Sequence, residues 1–260
     1  MTSQPGSDVA DKALEPLFAT SGSDDLSSHA YRQLIGSLGL VFPLALWLIA
    51  GLRPTRELAR WDLLSSVSAY YYTGSVAVFV GILVSLGVFL FTYHGYKNEY
   101  SKQDRRASII AGTAAILVAF FPTKAPLDSL APSWWTPGTG KIHYISAVVL
   151  FCSFSFFSLF LFTKSKPDSG EPLTKGKRVR NRIYICCGIL MAACIVWAGI
   201  ASFLNAPIFL PEALALESFA LSWLTKGRAD RTAVSVARRT FYYGRNPRRL
   251  VADIRGAIRS

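Results

Sequence analysis

Charge is what this chain has least of. Asp, Glu, Lys and Arg make up 17% of its 260 residues while 51% are hydrophobic; an ordinary soluble domain carries about 25% charged residues. The mean hydropathy of +0.32 agrees, and the shortage argues against a water-bathed globule and for a bilayer. Cysteine is sparse too: Cys152, Cys186, Cys187 and Cys194 lack paired CxxC spacing, which argues against a metal cluster or a disulfide framework. All four fall in apolar stretches and are expected to be buried structural thiols. No GxSxG elbow occurs. The segment "TPGTGKI" imitates a phosphate loop, but Trp135 stands where its first glycine belongs and Ile142 replaces the hydroxyl residue. Residues 1–30 carry Lys12 against Asp8, Asp11, Glu15, Asp24 and Asp25. With no basic start leading into an apolar core they do not read as a signal peptide, and a disordered, acidic cytoplasmic arm is expected.

What is present is apolar sequence in long runs. A helix needs about 20 apolar residues to cross about 30 Å of hydrocarbon, and the candidates are 34–52, 74–93, 107–122, 142–162, 183–204 and 208–225. The third is short and the sixth contains Glu212 and Glu217. Charge placement supports both, because cytoplasmic loops accumulate Lys and Arg. With six spans and the N-terminus inside, the outer loops hold Arg53, Arg56, Arg60, Lys124 and Lys141, and every other Lys and Arg is cytoplasmic. The expected fold is therefore all-α: a polytopic, six-transmembrane-helix bundle with both termini cytoplasmic. Its parts are the arm 1–30, a transmembrane domain 31–226 and a basic tail 227–260.

Pro43 interrupts the first span and is expected to kink it. Gly81 with Ser85, Gly112, and Gly188 with Ala192 have the small-residue spacing that lets membrane helices approach closely. "FLFT" occurs at 89–92 and 160–163, a weak sign of repeated helical hairpins. In the tail, Asn246 and Pro247 form a helix-start signal. Leu250, Val251, Ile254 and Ile258 then share a face flanked by Arg248, Arg249, Arg255 and Arg259. A basic amphipathic helix on anionic inner-leaflet lipid is expected; nucleic acid is not an expected partner, and a homo-oligomer is compatible with the sequence.

Between the first two spans lies "SSVSAYYYTGS", residues 65–75, rich in hydroxyls and free of charge. The topology puts it at the outer end, where Lys124, His143 and Glu212 also arrive. Each has a plain alternative: an interfacial tyrosine belt, a snorkelling lysine, a helix-start histidine, and a carboxylate favoured in a first helical turn. Taken together, Ser66, Ser68, Tyr71, Thr73, Lys124, His143 and Glu212 are the expected ligand-binding set. Catalysis there would use Ser66 or Ser68 with His143 and an acid such as Asp62, or proton transfer by Glu212 and His143. Glu217 sits deeper, an intramembrane carboxylate expected to face the bundle interior. His29 and His94 fall on the cytoplasmic side and His143 outside, so a multi-histidine metal site is not expected, nor is a cofactor.

The runs "SVSAYYYTG", "VFVGILVSLGVFLFTYHGY", "AGTAAILVAFFPT", "KIHYISA", "FSLFLFT" and "EALALESFALSWLTKG" resemble a group of uncharacterised bacterial six-helix integral membrane proteins. The resemblance spans roughly residues 34–227 and implies an inner-membrane, multi-pass protein without implying an activity. The first functional reading is a non-enzymatic binder of a lipid headgroup or small polar ligand in a pocket at the outer face; the alternatives are an intramembrane lipid hydrolase or transferase using a Ser/His/acid cluster and a small proton-coupled transporter using Glu217.

Overall fold

A computed structural model describes residues 23–55, 58, 61–93, 101–164 and 175–229. Among these residues the chain is all-helical, with no strand. The six α-helices are α1 (Ser23–Leu52), α2 (Val76–Thr92), α3 (Ser101–Phe120), α4 (Pro137–Phe156), α5 (Lys175–Phe203) and α6 (Phe209–Lys226). Two 3-10 turns, Ser68–Tyr72 and Asp128–Leu130, interrupt the connections, and a π-helical turn, Phe157–Leu161, extends α4. Helix α4 starts on a capping box, Thr136 with Thr139, followed by Pro137. That is the structural meaning of the sequence that imitates a phosphate loop.

Each helix packs on the next, and α6 returns to α1, so the bundle closes into a ring. Its interior is one apolar cluster including Phe42, Leu86, Ala115, Phe154, Met191 and Trp223, drawn from all six helices. Three segments are long and apolar enough to cross a membrane: His29–Leu52, Pro137–Leu161 and Lys175–Phe203. Helix α2 is apolar but shorter. The outward faces are apolar as well: Leu44, Ile145, Val196 and Phe203 are exposed, the last at 86%. A helix apolar on every side belongs in a core or in lipid. In α5 the charges, Lys175 to Arg182, occupy only the first turns.

Several expectations shift. Helix α1 begins at Ser23, inside the stretch expected to be an unstructured arm. Farther along α1, the Gln33 amide donates to the Gly227 carbonyl at the end of α6, at 2.8 Å. Residues 1–22 and the tail beyond 229, including its expected amphipathic helix, lie outside the described residues. Pro43 sits within α1, which continues through it. Cys187 and Cys194 are buried as expected, but Cys152 and Cys186 are exposed; on outward faces of α4 and α5 they are apolar surface, not core. The two "FLFT" copies are not equivalent: Phe89 to Thr92 ends an α-helix, whereas Phe160 and Leu161 belong to the π turn.

Ring closure uses glycine where α1 meets α6. A Cβ on Gly36 would stand 2.9 Å from the Leu224 backbone nitrogen and 3.1 Å from the Ala220 carbonyl oxygen. Backbone atoms cannot rotate away as a side chain can, so Gly36→Val is expected to destabilise the bundle by about 1–3 kcal/mol. The melting temperature of the purified protein in detergent checks this. Gly81, which faces open space and makes none of the close packing expected of it, is the control: Gly81→Ala should leave the melting temperature unchanged.

Candidate functional site

The connection 65–75 is folded back against the bundle, with Ser66, Val67, Ser68, Ala69, Tyr70, Tyr72, Thr73 and Ser75 buried. A buried loop must satisfy its own backbone groups. Short hydroxyl side chains do this locally, and the sequence supplies them. The Ala69 N–H donates to Ser66 Oγ at 3.0 Å, and Thr73 Oγ1 donates to the Tyr70 carbonyl at 2.8 Å. Ser75 Oγ lies 2.6 Å from Thr73 Oγ1 and donates to the same Tyr70 carbonyl at 3.2 Å. The hydroxyl-rich composition is thus mostly the loop's own internal bonding.

Ser68 is the exception. Its Oγ lies 3.0 Å from Nε2 of His143, on the second turn of α4. The other ring nitrogen, Nδ1, lies 2.7 Å from the Phe121 carbonyl oxygen. A carbonyl only accepts, so in the neutral ring the proton sits on Nδ1 and the bare Nε2 accepts from the Ser68 hydroxyl. Ser68 is 8% and His143 2% exposed, which shields the pair from bulk water. Phe121 can serve because Pro122 follows it. Helix α3 ends there, and the last carbonyls of a helix have no partner within it. Side chains from elsewhere cap them: His143 on Phe121, Trp135 Nε1 on Pro122 at 3.2 Å, and the Tyr72 hydroxyl on Thr123 at 2.5 Å.

Glu212, in the first turn of α6, completes the arrangement. Its Oε2 accepts from the Val67 N–H at 2.6 Å. In return the Ser65 carbonyl accepts the Ile208 and Phe209 N–H groups at 2.6 and 2.9 Å. These are helix-start donors that would otherwise lack partners. The residue as a whole is half-buried although its carboxyl is enclosed. The loop is therefore held from three sides: by α6 through Glu212, by α4 through His143, and by the α3–α4 connection through Tyr72. Burial, and then the neighbouring Tyr71 and Tyr144 phenols, push the Tyr72 hydroxyl up to about 12, so it remains a donor.

The structure brings Ser68, His143 and Glu212 together and uses the rest of the expected set differently. Ser66 and Thr73 bond within the loop. Tyr71 is half-buried and packs its ring edge-on against Tyr72 and Phe79. Lys124 is exposed and Glu217 is half-buried on α6, neither with a hydrogen bond among the described residues. Asp62 is not the third member beside His143: it is exposed, and its backbone carbonyl bonds the Tyr70 hydroxyl at 3.4 Å. The Phe121 carbonyl stands in its place. Sequence reasoning missed Phe121 and Thr123, which act through backbone atoms. The only signal was the helix-ending "FFPT".

A second buried polar region lies at the opposite end of the bundle. Arg32, 1% exposed, sits 5.7 Å from the Tyr93 ring centroid. Lys226 Nζ donates to the Phe162 carbonyl at 3.2 Å and lies 5.1 Å from the centre of that ring. Asp104 is also buried here on α3, with its immediate neighbour Arg105 donating to the Phe91 carbonyl. Aromatic faces and helix-end carbonyls accommodate cations that an apolar interior otherwise resists.

No protein-family model, curated protein or solved structure matches the chain.

Proposed function

We propose that this is a multi-pass membrane protein of six spans, with both termini on the cytoplasmic side of a bacterial inner membrane, and that Ser68 and His143 act at its outer end as nucleophile and base on a lipid-borne ester. The single observation that carries the chemistry is the Ser68 Oγ to His143 Nε2 contact of 3.0 Å, with Nδ1 anchored on the Phe121 carbonyl. A hydroxyl is a poor nucleophile unless a base takes its proton during attack, and this geometry meets that requirement. Attack on an acyl carbon would form the Ser68 Oγ–C bond while the proton passes to Nε2. The imidazolium would then return it to the leaving alcohol, and water would release the acyl group by the same route. The Phe121 carbonyl fixes the tautomer and ring orientation, the role an aspartate plays in a catalytic triad, but as a dipole it stabilises the imidazolium less than a full charge would.

Burial supports a substrate arriving from lipid and not from bulk water. The Val67 N–H beside Ser68 already donates to Glu212, so an acyl oxygen would have to displace that carboxylate to use it as an oxyanion donor. A binding reading of the same cluster rests on Lys124, which is exposed one residue beyond Thr123 and suited to an anionic headgroup. It is the weaker reading, because the cluster's polar groups are already paired within the protein. A hydrolase at rest needs that Ser–His pairing, whereas a binder needs free valences. For the transporter, the half-burial of Glu217 adds no support.

The test is a fluorophosphonate probe applied to the purified full chain in detergent, with the modified residue located by peptide mass spectrometry. Label on Ser68, absent from Ser68→Ala and retained in Ser66→Ala, is the expected result. No label on Ser68 at any pH from 6 to about 9, a range chosen to span imidazole titration, would end the hydrolase reading.

A further inference from the structure

We infer that the outward groove between α3 and α4 is a site for one anionic phospholipid of the leaflet at the basic end of the bundle. The inference rests on the membrane reading above and is independent of chemistry at Ser68. The groove has a volume of about 540 Å³, well within the range of ligand sites, which is about 300–1,000 Å³. Its wall is apolar over most of its length: Ala107 and Ile110 from α3 face Val148, Cys152 and Phe156 from α4. The two helices run antiparallel, so the Phe156 end of α4 lies beside the start of α3, away from Ser68.

Charge identifies the occupant. Arg106 lines the groove and is exposed. Lys102, also exposed, lies one turn earlier on the same face of α3. Lys164 Nζ donates to Oε1 of Gln103, another lining residue, at 2.5 Å, which brings a further cation to the mouth. Asp104, two residues from Arg106 and so almost on the opposite side of the helix, is buried. An apolar trough that ends in cations matches an acyl chain joined to an anionic phosphodiester. A neutral lipid would fill the trough without using the cations, and a soluble anion would use the cations without the trough.

The test is native mass spectrometry of the full-length protein in detergent, titrated separately with phosphatidylglycerol and phosphatidylcholine. One phosphatidylglycerol should be retained about fivefold more strongly than phosphatidylcholine, the preference that one basic group near an anionic headgroup confers. Arg106→Ala should reduce that preference. Val148→Trp, which fills the groove from a position already 51% exposed and so puts no strain on the core, should weaken retention of both lipids. Lys141→Ala, at an exposed cation near the start of α4 and so at the other end of that helix from the cations, should change nothing. Equal retention of the two lipids, or an unchanged preference in Arg106→Ala, would overturn the inference. Dimer ions that disappear in Val148→Trp would also overturn it, because a second copy of the chain would then be the occupant.

Discussion

Replacing His143 with alanine is expected to slow fluorophosphonate modification of Ser68 by about 10²–10⁴-fold, the contribution typical of a positioned general base. The Ser68 hydroxyl has one base in contact, Nε2 at 3.0 Å, and the far side of that ring is held at 2.7 Å by the Phe121 carbonyl. Removing the imidazole takes away the proton acceptor and leaves both groups without their partner, so His143→Ala also loosens the loop. His143→Gln separates the two effects. Its amide reaches in the same direction and can still donate to Phe121, but it cannot accept a proton at neutral pH. A catalytic His143 predicts that the glutamine variant melts near the parent temperature and still modifies slowly. Parent-rate modification in His143→Gln would sink the base assignment and leave His143 as a structural tie.

The second large effect is expected at Glu212. Its carboxyl accepts the Val67 N–H at 2.6 Å. Glu212→Leu keeps the volume and leaves that N–H in a buried loop without an acceptor. The orphaned group costs about 1–3 kcal/mol. Melting in detergent should fall accordingly, and limited proteolysis should newly cut between 61 and 75. Glu212→Gln retains an acceptor oxygen and should lose only a fraction of that. If leucine were harmless, the carboxylate would not be what holds the loop. Equal damage from glutamine would show that charge, not acceptance, is the requirement.

Much of the architecture could be read from the linear sequence because long apolar runs must become helices: a backbone away from water satisfies its polar groups most simply within a helix. All six runs correspond to helices. The two weakest, α3 and α6, carry Lys102, Asp104, Arg105 and Arg106 in the first case and Glu212 and Glu217 in the second, and neither is among the segments apolar enough to span by composition. Helix ends were less legible: α1 extends back to Ser23, beyond the apolar run that signalled it. The two outward cysteines show the same limit: an apolar residue looks alike in sequence whether it faces core or lipid.

For the site, rarity did the work. In so apolar a chain, His143, Glu212 and the serine-rich loop stood out, and Ser68, His143 and Glu212 do meet. Tyr71 and Lys124 were named with them, and Asp62 as an example of an acid, and their side chains are not bonded to Ser68 or His143 among the described residues, because the direction of each side chain follows from the 3-10 turn and the helix starts, which composition does not encode. Backbone partners left no mark of identity; the Phe121 carbonyl was signalled only by the proline after it.

The sequence by itself determined that the described chain is helical and that three of its segments are apolar enough to cross a membrane, and it singled out Ser68, His143 and Glu212 among its rare polar residues. Only the tertiary structure decided which of those groups touch. Ser68 and His143 are 75 residues apart and Val67 and Glu212 are 145 apart, and contacts of that span exist only because the helices pack into a closed bundle. Local hydrophobicity fixes where helices form. Packing at Gly36, together with the need to satisfy a buried loop from three different elements, fixes where those helices stand and therefore what Ser68 meets.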